Sequence, residues 1–260
     1  MNARAIAVNA VMAAAAAILP VEGFAGCVAQ SGPNTAALVE LYTSEGCSSC
    51  PPADKLLSRL QQTLDPAAVA IPLSLHVDYW DYIGWKDPFA QARFAERQRW
   101  LAQANHQGTV YTPHFFVGGT ELQSWRGNLR DEVRKQNSRP AEAQIRIEVT
   151  QATADSLTVI ADASARGNND RAELFLAVTE SGLVSKVARG ENGGVTLSHD
   201  HVVRAWIGPI ALAGGKATVN REITLSPSWN RAQLAVVGFV EDARSGKVLQ
   251  AVGAQQCARS

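Results

Sequence analysis

No sign of charge dominates this chain: Lys plus Arg and Asp plus Glu stand at 24 each over 260 residues, and no basic run is present. The positive footprint that a phosphate backbone requires is missing, which excludes nucleic acid as a partner. No glycine loop has phosphate-cradling spacing, and no serine, histidine and acid fall in a recognisable hydrolase context. Internal repeats are absent too. The longest apolar run, "AIAVNAVMAAAAAILPV", is broken by Asn9 and Pro20 and falls short of the roughly 20 residues of a membrane helix. What remains is 46% hydrophobic and 18% charged, enough to bury a real core and far from the signature of disorder.

That apolar run follows Arg4 and ends in the small residues of "GFAGC", the three-part pattern of a secretory signal over residues 1–25. A periplasmic or secreted setting follows. "FAGC" also resembles the lipobox in which Cys27 becomes lipidated, although Phe24 stands where leucine is usual. Cysteine is scarce: Cys27, Cys47, Cys50 and Cys257. In an oxidising compartment an even number suggests disulfides, and four cysteines allow three pairings. Cys27 and Cys257 lie near the two ends of the mature chain, where termini often approach, so they are expected to form a structural bridge unless lipidation claims Cys27.

Two halves differ in texture. "AALVELYT" (36–43), "VAIPLSLHVDYW" (69–80) and "VYTPHFFVGG" (110–119) read as strands. Between and after them, Leu56, Leu57, Leu60 and Leu64, a stretch from about Pro88 to Gln103, and "NLRDEVRKQN" read as one-sided helices. Beyond Arg139-Pro140, seven short β-prone runs separated by turns such as "RGNND" and "GENGG" suggest an antiparallel sandwich. The expectation is an α/β domain over 36–139 followed by an all-β sandwich-like domain over 140–256.

The chemistry concentrates in "TSEGCSSCPPADKLL" (43–57), where C-x-x-C stands at a strand-to-helix turn. A helix N-terminus presents unpaired N–H groups and partial positive charge, which favour a thiolate. Cys47 would be the nucleophile and Cys50 the resolving thiol of a disulfide exchange. Pro51 and Pro52 lack an N–H and push the regular helix start towards themselves, and Glu45 opposes thiolate formation if it points inward.

"VELYTSEGCSSCPPAD", "SLHVDYWDYIGWKDPFA", "VYTP" and "RGENGGVTLSHDHVVRAW" together resemble the secreted bacterial thioredoxin-like proteins of domain-of-unknown-function family 1223. The resemblance implies a thioredoxin-like N-terminal domain, a cis Thr112-Pro113 peptide beside the cysteines, and a Thr112 backbone that pairs with a bound substrate chain. Its partners would be protein thiols or disulfides of the cell envelope, with no cofactor. The chain departs from ordinary thioredoxins in lacking a Trp before Cys47 and in the double proline after Cys50.

Other constellations leave alternatives open. Cys47 and Cys50 could bind copper(I) with His114, or the pair could be non-catalytic in a module that binds another exported protein. Trp80 and Trp85, with Tyr79 and Tyr82, form either an aromatic cap or a substrate-gripping groove beside the disulfide. Asp78 is the candidate proton relay to the resolving thiol. His76 reads as a core histidine in a buried strand, and His199 and His201 as an exposed pair near a turn. A static, purely structural Cys47–Cys50 bridge is the third reading.

Overall fold

The structure, a computed structural model, describes residues 27–153, 155–167 and 169–254. The expected signal segment, and Cys257 of the expected Cys27–Cys257 bridge, lie outside the described residues. Cys27 is not a free thiol. Among the described residues no helix is long and apolar enough to cross a membrane.

The first half follows the hydrophobic pattern closely. After β1 (Cys27–Gln30) come β2 (Ala37–Thr43) and β3 (Ala70–His76), both buried along their whole length. The helix expected between them is cut at Arg59 into α1 (Pro51–Ser58) and α2 (Leu60–Thr63). Next come α3 (Ala92–Ala104), β4 (His114–Val117), β5 (Thr120–Glu121) and α4 (Trp125–Asn137). Apart from a 3-10 turn at Arg231–Gln233, the regular structure of the second half is strand: β6 (Ala143–Thr153), β7 (Ser156–Ala165), β8 (Ala172–Glu180), β9 (Leu183–Lys186), β10 (Thr196–His199), β11 (Val202–Ala211), β12 (Lys216–Thr224), β13 (Leu234–Asp242) and β14 (Val248–Gly253).

The expected architecture, an α/β thioredoxin-like domain followed by a separate sandwich, is corrected here. The chain is mostly β, 43% strand against 20% helix, and its largest sheet takes strands from both halves. That sheet has the order β14-β13-β8-β11-β3-β2-β4-β5. The junction is a parallel contact in which Val202 of β11 pairs with Ser74 of β3, reinforced by the Ser74 N–H donating to the His201 carbonyl at 2.9 Å. The edge of β3, left open by the first half, is thus closed by the second, which removes a row of unpaired backbone groups. The reverse traffic also occurs, since β1 pairs with β6 in a four-stranded sheet β1-β6-β7-β12. A two-stranded ribbon of β9 and β10 stands apart from both.

Three apolar layers follow. On one face of the large sheet, Leu38, Leu75, Phe116, Phe175, Val237 and Phe239 make a continuous surface under Phe94 and Leu101 of α3. On the other face α1, α2 and α4 cover the first-half strands through Leu57, Leu60, Leu129 and Val133. The four-stranded sheet covers the second-half strands through Ile145, Ile147, Val159 and Val219. Arg97 of α3 fastens the continuous face at both ends: Nε bonds Glu40 of β2 at 2.7 Å, and Nη2 and Nη1 bond Glu241 of β13 at 2.7 and 3.0 Å. The guanidinium lies over the rings of Phe175, Trp206 and Phe239, so every face of this buried charge has a partner. Burial works against the charge, but the Glu241 and Glu40 carboxylates outweigh it and hold the Arg97 pKa well above its ordinary value.

Candidate active site

Cys47 and Cys50 form a disulfide with Cα atoms 5.5 Å apart, at the turn from β2 into α1. Both residues are buried, at 1% and 0% exposure, while Ser48 and Ser49 between them face solvent. The prolines set the helix start, as their chemistry requires. Cys50 is the N-cap, Pro51 and Pro52 occupy the first helical positions, and the first two available N–H groups, of Ala53 and Asp54, donate to the Cys50 carbonyl at 2.8 and 3.1 Å. The unpaired N–H groups expected to face a thiolate are therefore spent or missing. The polar neighbour of Cys47 Sγ is instead the Ser49 hydroxyl at 3.3 Å.

The outer wall comes from "VYTP". The Thr112-Pro113 peptide is cis, and the Ser49 hydroxyl donates to the Thr112 carbonyl at 3.4 Å, so the proline loop lies against the cysteine turn. Trp80 donates its indole N–H to Thr112 Oγ1 at 2.8 Å. Tyr82, next along the aromatic segment, is 82% exposed. His114 is not brought to the sulfurs. Its Nδ1 faces Gln98 Nε2 at 3.1 Å and its Nε2 faces Glu121 Oε1 at 3.0 Å, and the ring stacks on Tyr111. Among the described residues no group of three His, Cys, Asp or Glu side chains is arranged to hold a metal.

The inner wall is a buried cluster of acids and histidines. Glu45 does point inward: its Oε1 lies 3.1 Å from His199 Nε2, and its Oε2 accepts the Trp85 indole N–H at 2.8 Å. Trp85, half-buried, is thus tied to the inner wall through Glu45. His76 Nδ1 lies 2.7 Å from Asp87 Oδ2, which also accepts the Glu45 backbone N–H at 2.8 Å. The two histidine rings meet edge to face at 5.0 Å. Each donates through one nitrogen to a carboxylate, which leaves His76 Nε2 and His199 Nδ1, buried and without a hydrogen-bond partner. Asp54, on the first turn of α1, is also buried, and its Oδ1 is likewise unpartnered. Burial raises the Asp54 carboxyl above its ordinary value, partly offset by His199 and His76. Burial opposes the charge on His76, but the Asp87 carboxylate prevails and its pKa is raised; that of Asp87 is lowered, since His76 and two backbone N–H donors overcome its burial.

The second half supplies the rest. Asn192, in the "RGENGG" loop, donates to the carbonyls of Glu45 at 2.8 Å and Cys47 at 3.0 Å, and Glu191 accepts the Ser48 N–H at 2.9 Å. Gly190, at φ +77°, lets that loop pass close to Ile83, where an added Cβ would come within 3.0 Å. What reads in sequence as a plain turn is the clamp on the cysteine loop. His199, expected to be exposed, is buried, whereas His201 is half-buried with φ 59° and Asp78 is half-buried on the loop after β3. Asp54 is the residue sequence reasoning passed over. Its signal was present: Cys50, Ala53, Asp54 and Leu57 fall on one helical stripe, with the acid in its middle.

The chain resembles solved structures over most of its length. It aligns with protein AGR_C_4864 from Agrobacterium tumefaciens at 24% identity and a TM-score of 0.61, covering 86% of this chain and 95% of that one. It aligns with HBP35 of Porphyromonas gingivalis at 18% identity and a TM-score of 0.67, covering 86% and 76% respectively. At such identities the likeness concerns the fold alone. No curated protein matches. A family model described as a protein of unknown function, DUF1223, matches residues 38–241, a span that holds both cysteines, the cis-proline loop, Asn192 and His199. The chain belongs to the DUF1223 family.

Proposed function

We propose that this protein is an exported thiol–disulfide oxidoreductase that works through Cys47 and Cys50. The observation that carries the reading is the setting of the Cys47–Cys50 disulfide, between a loop that can meet a partner and a buried cluster that can exchange protons. The N-terminal sequence pattern supports the exported setting. In the reduced protein Cys47 attacks a partner disulfide and one partner sulfur leaves as a thiolate. Cys50 then attacks Cys47 Sγ, forming the intramolecular bond and releasing the second partner sulfur. Thr112, whose carbonyl accepts the Ser49 hydroxyl, and Trp80, bonded to Thr112, lie beside the cysteine turn and would receive the partner backbone. Recombinant mature protein is expected to exchange disulfides with a model substrate, and Cys47→Ser to abolish exchange. No activity at any redox poise would sink the reading.

The burial of both cysteines favours a second reading, a static bridge that holds the turn before α1. The reduction potential separates the two. A value below about −300 mV marks a structural disulfide, and a higher one an exchanging pair.

A further inference from the structure

Resting on that reading, we infer that Asp54 is the proton acceptor and donor of Cys50, with His199 and His76 as the proton store behind it. Cys50 and Asp54 are four apart on helical backbone, which puts their side chains on one face about 5 to 6 Å apart at Cβ. Both are buried, so water does not compete for the proton. The cluster has three buried positions able to change protonation and left without a hydrogen-bond partner: Asp54 Oδ1, His76 Nε2 and His199 Nδ1. Buried polar atoms are normally satisfied, and each exception calls for an explanation, a catalytic role being one. The remaining nitrogen of each ring is tied to a carboxylate, so each histidine is held in place while its free nitrogen faces the interior. Besides burial, the groups that set the charge at Asp54 are His199 from β10, His76 from β3, the Thr43 hydroxyl of β2 and Asp87 before α3, with Glu45 bonded to His199.

The step balances without a further reagent. When the mixed disulfide on Cys47 is to be resolved, the Cys50 thiol gives its proton to the Asp54 carboxylate. The Cys50 thiolate then attacks Cys47 Sγ, the Cys47–Cys50 bond forms, and the electron pair of the broken bond leaves on the partner sulfur. In the opposite direction an incoming thiolate bonds to Cys47, Cys50 leaves as thiolate, and Asp54 returns the proton.

The test follows Asp54→Asn and His199→Gln in the full mature chain. With a small disulfide probe, acid quenching and intact mass should show Cys47 mixed disulfide forming at the wild-type rate in Asp54→Asn. Resolution should slow about 100-fold near neutral pH, the usual scale of a lost general base. Independently of any exchange activity, thiolate absorbance of the reduced protein should show Cys50 ionising at lower pH in Asp54→Asn, because a neighbouring negative charge is gone. His199→Gln should move the inflection of the wild-type resolution profile. Resolution at the wild-type rate together with an unmoved Cys50 titration overturns the inference. If Asp54→Asn does not fold, an unmoved inflection in His199→Gln overturns it. A wild-type protein that forms no mixed disulfide refutes the oxidoreductase reading instead, while the Cys50 titration still decides whether Asp54 and Cys50 are coupled.

Discussion

Two buried charge clusters join the two halves of this molecule, and they are built to opposite rules. Around Arg97, both carboxylates are bonded, the guanidinium is walled by rings, and neither Arg97, Glu40 nor Glu241 has an unpartnered buried atom. Around His76 and His199 each ring has one satisfied nitrogen and one without a partner, and Asp54 leaves an oxygen unpaired. A fully satisfied polar network makes a rigid junction; a partly satisfied one is a standing cost that a function can explain. The first cluster is a fastening and the second is the proposed site, although both span β2-proximal residues and strands more than a hundred residues away.

The largest effect that would test this contrast is expected at the fastening. Arg97→Met strands Glu40 and Glu241 in the core and should cost about 3–5 kcal/mol, read from urea midpoints. Protein that still folds should exchange disulfides as before; lost exchange at unchanged fold would break the contrast. Asp87→Asn should cost less, about 1–3 kcal/mol, because His76 can release its proton instead of remaining charged and unpaired. Its pH dependence is the sharper readout. The raised pKa of His76 contributes stability that is complete below about 6.5, the unfolded value, and is lost as pH rises through the folded one. The depressed pKa of Asp87 contributes stability present above the ordinary carboxylate range and lost as pH falls through its lowered value. Wild-type stability should therefore decline on the alkaline side of about pH 6.5, and Asp87→Asn should flatten that decline. Asn192→Ala removes two bonds to the cysteine loop and should cost about 1–2 kcal/mol. It should also shift the equilibrium of the cysteine pair with glutathione, whereas Arg97→Met should not.

Local elements were largely legible in the sequence, because burial imposes a period. "AALVELYT" gives β2 and "VAIPLSLH" gives β3 because both sit in the middle of a sheet covered on two faces. "AELFLAVTE" and "AQLAVVGFVE" give β8 and β13 for the same reason. What could not be read was which strand lies beside which. Nothing local in "HVVRAW" states that Val202 will pair with Ser74, since a strand's partner is chosen by the whole sheet. The site suffered the same blindness. Cys47 and Cys50 announce themselves by spacing and Thr112 through the family resemblance, but His199 and Asn192 carry no mark of their destination, and Asp54 looks like one more charge on an amphipathic helix.

The pairing of β11 with β3 also dictates an order of assembly. A chain made from its N-terminus presents both cysteines, the prolines and β3 long before Asn192, His199 and β11 exist. During that interval the β3 edge is open and Glu45 has neither histidine nor asparagine from the second half, so the cysteine turn is unclamped. Oxidation of Cys47 and Cys50 in their final setting is thus a late event of biogenesis. A fragment ending at residue 139 should carry the motif yet remain prone to edge-to-edge association, held back from its own site by the strand it lacks.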